Sequence, residues 1–248
     1  MAMRPFVSIG ELPAASPSGS DDPCVDIWWW AFDPNGDWRA LAVFLTAEER
    51  KRAAEFRFEK DALAFAAGRY LQRRSLSVHL GLAIDDLHIV AGQHGKPFLA
   101  GHENEISFNL TNTHGLVAFA ISRSATSLGI DAEPLKTPIE PEASLMFCSA
   151  AERQVVAASK EAERASLLVA YWTIKESFLK AMGTGLLVDP AELTVQLEDG
   201  SIRIDRALSE DEAWHHRLLV TPSGHSIAVS ARSPARKLLF RQFEFSGQ

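Results

Sequence analysis

Apolar positions follow two rhythms along the chain, one of strands and one of helices. Residues 24–32, CVDIWWWAF, are apolar and aromatic almost without a break, the pattern of a strand buried on both faces, and the three tryptophans are expected in its core packing. In TAEER, Thr46 can cap a helix while Glu49 reaches back to the cap amide. Leu63, Ala67, Tyr70, Leu71 and Leu76 then recur near helical spacing, predicting a helix from about Asp61 to Leu80 that Gly81 stops. GKP at 95–97 reads as a turn, and ISFNL and LVAFAIS flank TNTHG as a strand pair.

The second half repeats that order. SLGIDAE at 127–133 is an apolar run ending in two acids, and SAAE supplies a second capping box through Ser149 and Glu152. A long helix is expected from about Ala162 to Met182, with Gly183 after it. LTVQLEDGSIRID reads as a hairpin turning at Asp199 and Gly200, and RLLVTPSGHSIAVSA as another. The expected fold class is therefore α+β, with two similar α/β subdomains at 24–127 and 128–248. Residues 1–23, rich in Pro, Ser, Ala and Gly, are expected to form a mobile N-terminal segment.

Composition narrows the functions open to such a chain. With 248 residues, 46% of them hydrophobic, it can bury a sizeable core. A formal net charge of -7 argues against general nucleic-acid binding, which needs a broad basic surface. Cys24 and Cys148 are the only cysteines, without metal-ligand spacing or a disulfide framework, which fits a reducing cytoplasm. The absence of a long apolar run and of a signal-peptide pattern predicts a protein that neither enters a membrane nor is exported.

Candidate chemistry sits in the acids. Alternation along a strand points Asp131 and Glu133 to one face and Ala132 to the other. In WTIKESFLKAMGTGL, residues 172–186, Thr173, Glu176 and Lys180 share one helical stripe, while Leu168, Tyr171, Phe178 and Met182 can face the core. Taken alone, Glu176 and Lys180 are an ordinary surface pair contributing a few tenths of a kcal/mol. If their stripe faces the strand, three carboxylates meet and require a cation. Oxygen ligands alone favour Mg²⁺ or Mn²⁺ over zinc, and Mg²⁺ so held keeps positions open for phosphates. Spacing therefore points to an Mg²⁺-dependent enzyme acting on a phosphate ester or pyrophosphate, with Lys180 placed to meet a phosphate oxygen.

GIDAE followed by WTIKESFLK resembles the Gly-Ile/Val-Asp-x-Glu strand and Trp-(Ser/Thr/Cys)-x-Lys-Glu-(Ala/Ser)-x-x-Lys helix of the 4′-phosphopantetheinyl transferases of the surfactin-synthetase-activating type. EFRFEKDALAFAAGRYLQRR at 55–74, GKPF at 95–98, FNLTNT at 108–113 and FCSAAE at 147–152 are similar to the family as well. The resemblance implies a pseudo-dimeric fold acting as a monomer. The implied activity moves phosphopantetheine from coenzyme A to a serine of an acyl carrier protein or peptidyl carrier domain and leaves 3′,5′-ADP. It further implies that Asp131, Glu133 and Glu176 hold Mg²⁺, that Glu176 helps deprotonate the serine, and that Lys180 steadies the departing group. Lys96 and Pro97 would lie against the adenine, Arg52 and Arg73 near the 3′-phosphate, and Arg57, Lys60 and Arg69 along a carrier-facing rim. Thr111 and Asn112 stand where many members have Ser-His and are expected to contact coenzyme A in their place, Asn112 with a hydrogen bond but without the charge of that histidine. Two alternatives stay open: a binding module for coenzyme A or a carrier without turnover, and a different Mg²⁺-dependent phosphotransfer enzyme.

Overall fold

The aromatic run forms strand β1 (Cys24–Ala31), and alternation assigns each of its side chains to one of two cores. Trp28 and Trp30 point to one side together with Val117, Phe119 and Ile121 of β5 (Leu116–Ser122), against helix α2 (Glu59–Leu80). Val25, Ile27 and Trp29 point to the other, against Leu128, Ile130 and Ala132 of β6 (Ser127–Pro134) and Ile227, Val229 and Ala231 of β10 (His225–Ser233). The strand is thus buried on both faces, and its tryptophans are core residues. The computed structural model describes residues 22–92, 95–137, 139, 142–184, 187–198, 201–205 and 213–245. All but the last two residues of the segment expected to be mobile lie outside this range, as do Asp199 and Gly200 of the expected hairpin turn.

Two sheets packed face to face, with one long helix on each outer face, give four layers. The first sheet has the order β11-β1-β5-β4, with β4 at Ser107–Thr113 and β11 at Leu239–Glu244. The second has the order β6-β10-β9, with β9 at Ala213–Val220. Helix α5 (Glu161–Met182) covers the second sheet, packing Leu168, Tyr171 and Ile174 with Ala228 of β10. Two ribbons complete the halves: β2 (Ile89–Ala91) with β3 (Pro97–Leu99), and β7 (Thr194–Glu198) with β8 (Ser201–Asp205).

The halves share one plan. β1, α1 (Ala47–Glu55), α2, the β2–β3 ribbon and β4–β5 are matched by β6, α4 (Ala150–Ala158), α5, the β7–β8 ribbon and β9–β10. α1 and α4 are nine residues long, and each begins with a capping box in which both reciprocal bonds are made. α2 and α5 are 22 residues long and end at left-handed glycines, Gly81 with φ 68° and Gly183 with φ 69°. The α+β class and the two-part build are as the sequence predicts. A short helix, α3 (Ser144–Phe147), precedes α4.

Helix α5 departs from the expected one-sided stripe. Thr173 is fully buried and donates to the Val169 carbonyl at 2.7 Å, because β6 and β10 lie on one side of the helix and α4 and β7 close over another. Among the described residues no helix is long and apolar enough to cross a membrane.

Strand β11 breaks the repeat by returning to pair in parallel with β1, so the chain's last strand completes its first sheet. Asp26 of β1 anchors it. Arg241 of β11 donates to both Asp26 carboxylate oxygens at 2.5 and 2.8 Å, and His79 Nε2 lies 2.8 Å from Oδ2. Burial pushes the Asp26 carboxyl up, but the bonds to His79 and Arg241 outweigh it and hold it below the usual carboxylate range. A depressed folded-state value stabilises the fold above the unfolded-state value near ~4 and is lost as pH falls through the folded one. Asp26→Asn should therefore cost about 3 kcal/mol in urea unfolding at pH 7, and the difference from the wild type should shrink toward pH 3. An equal penalty at both pH values would contradict the ion-pair account.

Candidate active site

The site is built where α5 crosses β6 at Gly129. A Cβ added there would stand 2.1 Å from the Ser177 carbonyl oxygen and 2.3 Å from the Ala181 nitrogen, so only glycine lets strand and helix backbones come this close. Ser127 donates to the Ala181 carbonyl, and the Ser177 and Ser230 hydroxyls meet at 2.8 Å. Two residues beyond Gly129, Asp131 falls on the same face of β6 and points at the helix. There Lys180 Nζ lies 2.6 Å from Asp131 Oδ1 and 3.3 Å from Thr111 Oγ1, while the Thr111 hydroxyl donates to Asp131 Oδ1 at 3.2 Å.

Thr111 belongs to β4, the edge strand of the other sheet. Asn109 of β4 accepts from the Ile130 amide at 2.9 Å, and Thr113 donates to Glu133 Oε2 at 3.5 Å. Three alternate β4 side chains thus line one side of a seam whose other side is β6 and α5. Asn109 and Thr113 escape the sequence reading, although period two from Thr111 would have put them on its face.

Electrostatics at the seam are unfavourable for its acids. Burial raises the Asp131 carboxyl against the pull of Lys180. Glu133 is raised by burial and by Asp131, and Glu176 likewise, with Lys180 opposing. Asp131 Oδ2 is buried without a hydrogen-bond partner. Among the described residues no three His, Cys, Asp or Glu side chains stand close enough to form a metal-ligand group; Lys180 holds Asp131 Oδ1 instead. Mg²⁺, however, is commonly bound by one or two carboxylates together with substrate phosphates. An unpartnered carboxylate oxygen in an all-oxygen donor set fits that mode.

Comparison with known proteins decides the family. Residues 127–230 match the family model described as the 4′-phosphopantetheinyl transferase superfamily, and residues 30–124 match the one described as 4′-phosphopantetheinyl transferase, N-terminal. Between them the two models take in both halves of the chain. The chain belongs to the 4′-phosphopantetheinyl transferase superfamily. Among its relatives, the 4′-phosphopantetheinyl transferase Sfp of Bacillus subtilis is 28% identical over 77% of this chain and 84% of that one. HetI of Nostoc, also a 4′-phosphopantetheinyl transferase, is 29% identical over 65% and 70%. The L-aminoadipate-semialdehyde dehydrogenase-phosphopantetheinyl transferase of Xenopus laevis is 25% identical over 81% and 74%. Among solved structures, a Bacillus anthracis holo-(acyl-carrier-protein) synthase in complex with CoA (3′,5′-ADP) aligns at 20% identity and a TM-score of 0.39, covering 45% of this chain and 99% of that one.

The remaining positions expected of a phosphopantetheinyl transferase divide into two groups. Arg52 and Asn112 line one cleft of about 470 Å³ with Lys60, Thr113 and His114. Arg73 instead donates to Glu49 Oε1 at 3.1 Å, and Arg69 to Gln72 at 2.7 Å. Arg57 and Lys60 are exposed, each over the Phe58 ring. Pro97 opens β3, while Lys96 turns its ammonium to the end of α5, where burial draws it down to about 8. Lys175, given no role from the sequence, is fully buried and 2.6 Å from Glu152.

Gly129→Ala tests the crossing. The added methyl cannot be accommodated without moving α5, so a loss of about 3 kcal/mol or more is expected in thermal or urea unfolding. A variant of wild-type stability would mean that helix and strand are not in backbone contact.

Proposed function

We propose that this chain transfers the 4′-phosphopantetheine group of coenzyme A to a serine hydroxyl of an acyl carrier protein or peptidyl carrier domain, releasing 3′,5′-ADP with Mg²⁺ or Mn²⁺ as cofactor. The observation that carries the reading is the seam itself, where Lys180 and Asp131 meet between the halves beside Glu133 and Glu176. The relatives support it, since several are named 4′-phosphopantetheinyl transferases and a holo-(acyl-carrier-protein) synthase is known with CoA (3′,5′-ADP).

In the proposed reaction the serine oxygen forms a bond to the phosphorus that carries pantetheine. The bond from that phosphorus to the bridging oxygen breaks, and 3′,5′-ADP leaves with the electron pair. Glu176 takes the serine proton, directly or through water; burial raises its carboxyl, which strengthens it as a base. Lys180 meets the charge that grows on the departing phosphate. A divalent cation shared between the pyrophosphate and the acids Asp131, Glu133 and Glu176, which form no ligand group by themselves, would neutralise pyrophosphate charge. The residues of 24–127 are assigned the nucleotide side, with Arg52, Thr111 and Asn112 toward phosphates; Arg73, expected there too, is engaged by Glu49. Because the Lys96 ammonium is engaged at α5, only its backbone and the Pro97 ring are left for adenine. The residues of 128–248 are assigned the metal and catalytic side. Two halves in one chain suit a monomer, and a reaction that consumes coenzyme A suits a cytoplasmic location.

Metal dependence is the first test. Asp131→Ala should abolish transfer, read as the mass gain of an apo carrier incubated with coenzyme A, and excess chelator should do the same to the wild type until Mg²⁺ is restored. Full-rate modification in chelator would sink the cation part of the proposal.

Lys180 separates catalysis from an ordinary ion pair. Lys180→Ala should lower kcat by roughly 10²- to 10³-fold while coenzyme A still binds in calorimetry. Wild-type turnover would reduce Lys180 to a partner of Asp131.

A further inference from the structure

We infer that Lys96 is a positioning residue: from the first half of the chain its ammonium grips the last turn of α5 and so sets the depth at which Lys180 enters the seam. The inference rests on the transferase reading above. Lys96 Nζ donates to the carbonyls of Lys180 and Ala181, each at 3.0 Å. Both belong to the terminal carbonyls that a helix leaves without an ordinary intrahelical partner. The Gly183 amide reaches Leu179 O at 3.1 Å and Lys180 O at 3.2 Å, and Ser127 covers Ala181 O from β6. Lys96 joins this cap from a third direction.

A helix C-terminus carries partial negative charge and is stabilised by a nearby cation. In the last turn of α5 the only basic residue is Lys180, and its ammonium is committed to Asp131 at 2.6 Å. The second cation therefore comes from the other half of the chain. Its base is firmly held: Gly95 turns with φ 79°, and the Gly92 amide donates to the Lys96 carbonyl at 2.8 Å. From there the side chain passes Gly183, where an added Cβ would stand 3.9 Å from Lys96 Cδ.

Lys180 is thus fixed at both ends. Asp131 and Thr111 hold its ammonium, and Lys96 holds its backbone carbonyl. A residue that touched coenzyme A would act mainly on binding, whereas one that sets the position of Lys180 acts on the chemical step.

The test uses the full chain with Lys96→Met and Lys96→Arg, measuring steady-state transfer to a carrier and amide hydrogen exchange across 179–183. In Lys96→Met the exchange should quicken roughly 10-fold or more as the last turn frays. Its kcat should fall about 10- to 100-fold while KM for coenzyme A stays within about 3-fold. Lys96→Arg keeps a pair of donors and should recover most of both. Unchanged exchange in Lys96→Met overturns the inference, and so does a raised KM with unchanged kcat. If the wild type modifies no carrier, the transferase reading falls, and exchange alone decides: faster in Met and restored in Arg supports the grip, and no change overturns it.

Discussion

Lys175 and Glu152 form an ion pair that is closed off from solvent, with side-chain exposures of 0% and 1%. Two charges cannot be removed from water at an acceptable cost unless every remaining donor and acceptor is filled. Here they are. Lys175 Nζ donates to Glu152 Oε2 and Phe147 O at 2.6 Å and to Pro190 O at 3.0 Å, while Glu152 accepts the Ser149 and Val195 amides at 2.7 Å. The ammonium therefore ties α5 to the corner of α3 and α4 and to Pro190 ahead of β7, while Glu152 ties in β7 itself. Successive helical residues are turned by about 100° about the axis. Pinning Lys175 in its socket consequently fixes the direction in which Glu176 leaves the helix, and that of Lys180 further on. The rotational setting of the candidate site depends on a pair that takes no part in it.

The first half contains the same device in looser form. Glu49 holds the capping-box position of α1 that Glu152 holds in α4, and Arg73 occupies the place in α2 that Lys175 occupies in α5. Their bond is 3.1 Å, with side chains 17% and 10% exposed. One plan has thus been built twice and loaded differently. Next along the helix stands Arg74 in the first half and Glu176 in the second. Only the second copy presents a carboxylate at this position, where it adds to the charge of Asp131.

Local signals carried most of the fold. Capping boxes at Thr46 and Ser149, glycine stops at Gly81 and Gly183, and alternation at Asp131 and Glu133 each depend on residues a few positions apart, so they are legible without tertiary knowledge. β11 is not, because its partner β1 lies at the other end of the chain, and neither are β2 and β3, whose three-residue lengths are too short for a rhythm. The site divides in the same way. The face shared by Asp131 and Glu133 follows from period two, but the contact of Lys180 with Asp131 and Thr111 joins three distant segments. The socket of Lys175 is not legible either, since nothing local reveals that the Phe147 and Pro190 carbonyls converge on it. Lys96 misleads for the same reason: the end of α5 that it meets lies in the other half.

The seam is also where buried acid is least satisfied. The other buried acids are matched, Asp26 by Arg241 and His79 and Glu152 by Lys175. At the seam Asp131, Glu133 and Glu176 are all raised, Asp131 keeps one oxygen unpartnered, and one half-exposed lysine answers for them. A fold that fills its other buried acids could have filled this one with a second base, and it would then have had no affinity left for a cation or a phosphate. Under the proposed function that shortfall is the binding energy held in reserve. The Gly129 crossing and the Lys175 socket keep the acids from relaxing apart, which is what makes the shortfall persist until a ligand relieves it.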